Sequence, residues 1–573
     1  MSRSKVKVLF HSNFSKLTTG FGKNMRNILL SLHEDEEIEV YEAANGIRFG
    51  SDTKTPWECY GTYPSDPNIT AQIGNNPSKK RAAGYGYYCI NEIIEKVKPD
   101  VYVGIEDIWA FSGFDKKDWW TKTKKIIWTT LDSLPILDEA VKMNDKCEQM
   151  LVWASFAEKE MRKIGCDNVR TLHGAINYDN FKPVKKRKKL RKKFNLSDDF
   201  VIGFVFKNQL RKSVPNLLEG FKLFKEKNPE TKAKLLLHTG WGSSQSGWDI
   251  EKYIKEKGMD KKDVLCTYNC ESCSEYLVSE YKGEDLNCCA CGSEKSLKTK
   301  TSSKDGISEK QLNEIYNLMD VYCHPFTSGG QELPIQEAKA AGLITLVTDY
   351  SCGEDSAYEH QGGIPLSWNE YREPSTQFIK ASTSPQSIAE NLTRVLLMSD
   401  EEKDSLLNKG RVNIKENFST SLTTRKLKKF ILEANASEIK QKQEESETQN
   451  KSDVINIEDL LDDEGHKNRI LVTMPESAGD VLMINSLIEN IKKTYPDKNI
   501  YVATKNQFHS MIDDNPFVYK IIPYSMKFDN SLFLEGRAES PSYFEIAFLA
   551  HLPTQRSIQY IHNGSDKIQF FNK

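Results

Sequence analysis

Two rhythms alternate along the first two-thirds of the chain. Short continuous apolar runs, rich in β-branched and aromatic residues, read as buried strands. Between them lie polar stretches with apolar residues at helical spacing. VKVLFHS opens as a strand, and KLTTGFGKNMRNILLSLHE follows as a turn and an amphipathic helix. EIEVYEA, VKPDVYVGIED, KIIWTTLDSLP, CEQMLVWAS and NVRTLHGA continue the alternation to about residue 180. A second block over 198–400 repeats it, with DFVIGFVFKNQ, KAKLLLHTGWG, MDVYCHPF and LITLVTD as strands. VPNLLEGFKLFKEKNP, SEKQLNEIYNLM and SPQSIAENLTRVLLMS are its helices. Strands alternating with helices predict parallel sheets covered on both faces, so the expected class is α/β with two doubly wound, Rossmann-like lobes. In such sheets ligands bind beyond the C-terminal strand ends, here the cleft between the lobes.

From 435 to 467 the rhythm stops: the stretch has no Phe, Trp or Tyr and dense charge, which predicts a flexible linker. A third block then reads RILVTMP, VLMINSLIENIKKTYP, NIYVATK: strand, helix, strand. It predicts a partial α/β module over 468–573.

The chain has 573 residues, which suggests about three or four domains. Its 79 Lys and Arg nearly cancel 81 Asp and Glu, so no global field points to nucleic acid. No apolar run reaches the roughly 18 residues of a membrane span, and the start lacks the apolar core of a secretory signal. The expected compartment is the cytoplasm. One local charge run, KPVKKRKKLRKKF over 182–194, reads as a solvated helix face or linker, or as a contact for an anionic partner.

Candidate chemistry gathers at four places. TSGGQELPIQEAKAAG is the turn and helix of a βαβ unit, with the helix starting near Pro334. Gly329 and Gly330 there allow close backbone approach to a ligand, the helix N-terminus favours anions, and Glu337 suits the vicinal hydroxyls of a ribose. An ordinary turn with a solvated glutamate reads equally from the residues. Arg211 and Lys212, at a turn between a strand and a helix, are placed to stabilise negative charge, or are merely a solvated pair. Gly20 and Gly22 lie in a turn before a helix, suited to close approach of a phosphate or sugar, although GFG is not a full GxGxxG. Asp132, at the tip of WTTLD, is a candidate for binding a hydroxyl or assisting a proton, or a turn former; His173 reads as structural.

The most specific motif is Cys270-x-x-Cys273 and Cys288-x-x-Cys291, with fourteen residues between the pairs. Six of the twelve cysteines lie between 266 and 291. Such clustering in a large chain predicts a four-cysteine structural zinc site rather than disulfides, with Gly292 in a knuckle turn and Cys266 and Cys289 as spares able to replace a ligand.

Four stretches in order, KPDVYVGIEDIW, NVRTLHGAINYDNFKP, FVFKNQLRKSVPNLLEGFKLF and TSGGQELPIQEAKAAG, resemble the family 4 glycosyltransferases, retaining enzymes of the GT-B fold. The likeness covers roughly 5–430. It implies a nucleotide-diphosphate sugar as donor, Arg211 and Lys212 against the diphosphate, Glu337 on the ribose, Asp132 facing the reacting sugar, and no metal at the donor. One departure stands out. The family has two glutamates with seven residues between them, and the first position here is Gly329; Glu332 is near but out of register. MPESAGDVL with TYPDKNIYV resembles the start of the family 9 heptosyltransferases, which implies Asp480 as base, yet no second lobe follows, so docking is the favoured role of that module.

The expected organisation is therefore an acceptor-side N-lobe over 1–180, a donor-side C-lobe over 181–434, a zinc ribbon inserted over 266–300, the linker and the partial module. The expected activity is hexosyltransferase-like sugar transfer to a hydroxyl of a glycan, protein or modified nucleobase. The alternatives are a catalytically silent scaffold within an assembly, with the ribbon as a protein contact, and sugar transfer to DNA, with the ribbon and basic run gripping nucleic acid.

Overall fold

The structure is a computed structural model describing residues 5–241, 247–299, 307–374, 376–437, 457–463, 466–475, 478–529, 534–535 and 543–550. Most of the linker stretch and the chain beyond 550 lie outside these residues, as do 476 and 477 of the MPESAGDVL stretch. The chain separates into two compact units, 1–443 and 444–573.

Among its described residues the first unit holds two large sheets and a two-stranded one. Strands β1 (Val6–Asn13), β2 (Ile38–Arg48), β3 (Glu58–Tyr63), β4 (Val101–Ile105), β5 (Lys124–Thr129), β6 (Gln149–Val152) and β7 (Val169–Thr171) form an all-parallel sheet in the order β3-β2-β1-β4-β5-β6-β7. Strands such as VYVGI and KKIIWT read as unbroken apolar runs because helices cover both faces; every residue of β4 is buried.

The C-lobe has β8 (Phe200–Val205), β9 (Ala233–His238), β10 (Val264–Cys270), β11 (Tyr276–Glu280), β12 (Leu297–Lys298), β13 (Val321–His324), β14 (Ile344–Thr348) and β15 (Gly363–Leu366). Its sheet runs β11-β10-β9-β8-β13-β14-β15, parallel except for β11, with β12 pairing antiparallel to β10. A two-stranded ribbon, β16 (Trp368–Arg372) and β17 (Ile379–Thr383), is appended. The expected cysteine insertion over 266–300 is thus fused to the lobe: its first strand is β10, which pairs with β9 before it reaches Cys270.

Helix Thr420–Ala436 lies in sequence within the expected C-lobe, yet it crosses back to the N-lobe. Leu427, Ile431 and Ala434 join the core formed by Val8, Phe10, Val103 and Trp128, and each buried Leu or Ile contributes about 1.5–3 kcal/mol there. Lys428 adds ion pairs to Asp35 and Glu37, both at 2.8 Å. The chain therefore passes between the lobes twice, and the two passages bond to each other: Ile176 N–H donates to Phe418 O at 3.0 Å and Thr420 N–H to Ile176 O at 3.1 Å.

The basic run forms a helix at Arg187–Lys193, and its two arginines differ from a solvated face. Arg187 and Arg191 close on Asp320 at 2.7 and 3.0 Å, and Arg191 is buried. Lys188, Lys189, Lys192 and Lys193 remain exposed.

In the second unit, β18 (Arg469–Thr473), β19 (Asn499–Thr504), β20 (Lys520–Pro523) and β21 (Ile546–Leu549) make a parallel sheet in the order β20-β19-β18-β21. Helix Ala478–Thr494 follows β18, with Asp480 in its first turn.

Candidate functional site

The cleft between the lobes is walled by the C-terminal ends of both parallel sheets. On the C-lobe side, β8 leads into a short 3-10 turn, Leu210–Lys212, and then helix Val214–Lys227. This turn carries Arg211 and Lys212. Strand β13 leads through the glycine loop to helix Leu333–Ala340, whose first turn contains Pro334. That helix is short and buried on nearly every side, because Ile335, Ala338 and Ala340 pack into the lobe core.

Neither Glu337 nor Lys212 is a solvated side chain. Glu337 is 3% exposed: its Oε1 accepts from Lys23 Nζ at 3.0 Å and its Oε2 from Tyr316 O–H at 2.8 Å. Lys23 belongs to helix Gly20–Leu32 of the opposite lobe, so this ion pair crosses the cleft.

Glu332, which the sequence places out of register, is the centre of the C-lobe wall. Its two carboxylate oxygens are ion-paired separately, one to Arg211 and the other to Lys212, and His324 Nε2 lies 3.3 Å from the second. Burial alone would favour a neutral acid, but the two cations hold Glu332 well below the usual carboxylate range. Burial, with Arg211 beside it, lowers Lys212 to about 8, and burial lowers His324 to about 4, so the imidazole is neutral near pH 7. A Cβ built at Gly329 would stand 2.7 Å from Glu332 Oε1. The carboxylate therefore occupies the space into which a side chain at 329 would project.

The glycines have separate reasons. At Gly330 a Cβ would meet Thr130 Cβ of the other lobe at 2.3 Å, so its smallness lets the lobes close. Gly20 and Gly22 lie in the first turn of their helix, not before it; Thr19 caps it by accepting from Gly22 N–H at 3.0 Å. The Cβ direction of Gly22 is filled by Leu17 O at 2.5 Å, so close packing of its own turn requires that glycine. A Cβ at Gly20 would stand 3.8 Å from Leu333, at the start of helix Leu333–Ala340.

On the N-lobe side, Asp132 lies three residues beyond β5. Its Oδ2 accepts from Ser328 O–H at 3.2 Å and its Oδ1 from Ser133 O–H at 2.9 Å, while Lys380 Nζ, 4.0 Å away, donates to both serine hydroxyls at 2.7 Å. Arg211 Nη1 is 3.4 Å from Ser328 O, which ties Asp132 to the cationic wall. His173 packs on Phe418 and bonds Trp153 O at 2.8 Å, a structural placement.

Sequence reading passed over Glu106 and Asp107, at the end of β4. Glu106 Oε1 accepts from Asn13 Nδ2 at 2.6 Å and Asn45 Nδ2 at 3.0 Å, and Asn45 Oδ1 is 2.8 Å from His11 Nε2. Burial raises Glu106 to about 8 and lowers His11 to about 4. Asp107 accepts from the Thr130 hydroxyl; burial, reinforced by Asp132, raises it. The rule that singled out Asp132, a polar residue just past a parallel strand, also applies to IED after VYVG. Lys23, Tyr316, Lys380 and Glu332 carried no such signal.

In the cysteine ribbon, Cys270, Cys273, Cys288 and Cys291 bring their sulfurs within 4.8 Å of one another. Cys270–Cys291 and Cys273–Cys288 sulfurs are 3.7 and 3.8 Å apart. Four thiolates at about 2.3 Å around a tetrahedral zinc would be separated by about 3.8 Å. Gly292 turns the second knuckle at φ +73°. The expectation that Cys266 is a spare ligand fails: it is a fully buried residue of β10, paired with Leu237 in the sheet. Cys289 is exposed beside the cluster.

No family model matches the sequence, and no curated protein matches it either. Solved structures do. Sucrose-phosphate synthase from Thermosynechococcus elongatus is similar with a TM-score of 0.51 at 12% identity, over 75% of this chain and 99% of its own. The fold is GT-B. The Anabaena protein HepE in complex with UDP has a TM-score of 0.49 at 10% identity, over 75% of this chain and 100% of its own. A glycosyltransferase from Rickettsia africae has 0.48 at 14% identity, over 76% and 100% respectively. The matched share is about the size of the two-lobed unit.

Proposed function

We propose that the two-lobed unit is a glycosyltransferase that moves a sugar from a nucleotide-diphosphate sugar to an acceptor hydroxyl, with retention of anomeric configuration. The observation that carries this reading is the convergence, on one cleft wall, of two adjacent cations and a buried glutamate on the neighbouring helix. Arg211 and Lys212 would meet the diphosphate and stabilise its growing charge as the glycosidic bond breaks. Glu337 would take the ribose hydroxyls in place of Lys23, and the backbone at Gly329 and Gly330 would border the sugar. Asp132 would face the reacting hydroxyl. The diphosphate competes with Glu332 for the same cations, so this carboxylate holds them in position until the donor arrives.

In the ribbon, the sulfur spacing supports a structural zinc held by Cys270, Cys273, Cys288 and Cys291, with all four positions filled by protein. Elemental analysis should give one zinc per chain, lost in Cys288→Ser and kept in Cys266→Ser; equal zinc in both variants would remove the assignment.

A binding scaffold without catalysis is the second reading, favoured by the internal pairing of Glu337 with Lys23 and of both cations with Glu332. Titration with UDP, GDP, ADP and CMP, beside Glu337→Ala, separates them. Tight binding of one nucleotide that the variant loses supports the transferase. No binding by any of the four would sink it. For transfer to DNA the basic helix offers only its lysines, since Arg187 and Arg191 are committed to Asp320.

A further inference from the structure

A cavity of about 220 Å³ opens between the lobes beside the cationic wall. Its polar lining is Asp107, Thr130, Asp132 and Ser133, and its remaining walls include Trp109 of the N-lobe and Phe378 of the C-lobe. Trp109 is 39% exposed, unusual for so large a ring; Arg81 lies over it at 5.4 Å and Tyr85 meets it edge-on. Two carboxylates thus share one cavity with two aromatic rings, and no lysine or arginine is among its described lining residues.

Resting on the transferase reading, we propose that this cavity is the acceptor subsite and that the acceptor is an uncharged, hydroxyl-rich ring, a neutral glycoside rather than a phosphate-bearing molecule. The chemistry of the lining selects this class in three ways. Carboxylates accept hydrogen bonds from hydroxyls, and one such pair can hold two hydroxyls of a ring. Aromatic rings cover the C–H faces that a pyranose presents, combining apolar contact with a rigid wall. A phosphate would bring negative charge against Asp107 and Asp132 with no lysine or arginine among the described lining residues to meet it; Arg81 lies over Trp109 and is not one of them. A nucleic-acid acceptor would carry phosphates on both sides of its target base. The position fits the reaction as well. Asp132 lines the cavity and also accepts from Ser328, whose carbonyl lies beside Arg211, so an occupant would adjoin the donor wall. Asp107, held by the Thr130 hydroxyl, would fix the acceptor's orientation.

The test uses the full chain and saturation-transfer NMR with methyl α-glucoside, methyl α-mannoside, methyl β-galactoside and maltose, each without nucleotide. Glucose 6-phosphate and a single-stranded oligodeoxynucleotide serve as charged rivals. At least one neutral glycoside should bind, with affinity reduced about tenfold or more in Trp109→Ala and also reduced in Asp107→Asn. Trp109→Ala should keep the nucleotide affinity of the parent protein. Binding by none of the four glycosides, equal binding in Trp109→Ala, or tighter binding of the phosphate or oligonucleotide would overturn the proposal. Because nucleotide titration is read separately, a protein that binds nucleotide but no glycoside refutes this subsite alone. One that binds glycoside in a Trp109-dependent way without nucleotide keeps the subsite and refutes the donor reading.

Discussion

Two glutamates are buried on opposite sides of the same cleft, and they differ in protonation. Glu332, on the C-lobe wall, is ionised because Arg211 and Lys212 each take one of its oxygens. Glu106, at the end of β4, is met by the amides of Asn13 and Asn45, and burial raises it to about 8. Depth is similar; the partner decides. Formal charge next to a carboxylate compensates its lost hydration, whereas neutral amide donors compensate it only in part. The C-lobe wall is thereby arranged for charge and the N-lobe wall for hydroxyl chemistry.

The largest effect should follow from removing a cation. Lys212→Ala leaves Glu332 buried beside one partner fewer, so we expect a loss of about 3–5 kcal/mol in stability and about 100- to 1000-fold in transfer rate. Adding Glu332→Gln should restore most of the stability, read by denaturant midpoint, without restoring turnover. If turnover returned, Lys212 would have no role beyond holding Glu332.

Next in size is Glu337→Gln. It keeps the shape of the side chain but loses the charge that Lys23 and a ribose would meet, and nucleotide affinity should fall about 10- to 100-fold by calorimetry. Unchanged affinity would leave Glu337 as an interlobe latch only.

Glu106→Gln tests the other wall through pH. An unfolded glutamate ionises above about pH 4.5, while folded Glu106 keeps its proton to about 8, so its presence costs stability progressively between those values. The amide keeps the acceptor for Asn13 and Asn45. Its gain should be near zero at pH 4.5 and reach on the order of 5 kcal/mol above pH 8. Glu332 has the opposite sign. Its depressed value contributes stability above about pH 4.5 that is lost as pH falls through the folded value. Thermal transitions at pH 5 and 8.5 distinguish the two; equal gains at both would refute the protonated state of Glu106.

Much of this was legible before any coordinates, for identifiable reasons. Parallel strands covered on both faces have an apolar run as their only solution, so VYVGI and ITLVT declared themselves. The cysteine pairs did so because bringing four sulfurs together constrains both residue type and spacing. What stayed hidden depends on contacts between distant segments. Glu332 looked out of register because sequence offset measures distance along the backbone, whereas its carboxylate reaches back to the space beside Gly329. Lys23 lies 314 residues from the Glu337 it meets. The return of helix Thr420–Ala436 to the N-lobe left no mark at the lobe boundary, since an apolar stripe along a helix does not name the core it will join. Arg191 was hidden in a run of lysines whose charge said nothing about which side chain turns inward.

That second passage between the lobes has a mechanical meaning. A single tether would let one lobe swing, slide and spin relative to the other. Two tethers that bond to each other at Ile176 and Thr420 act as one paired joint. A turn of one lobe about either strand alone would have to break those bonds.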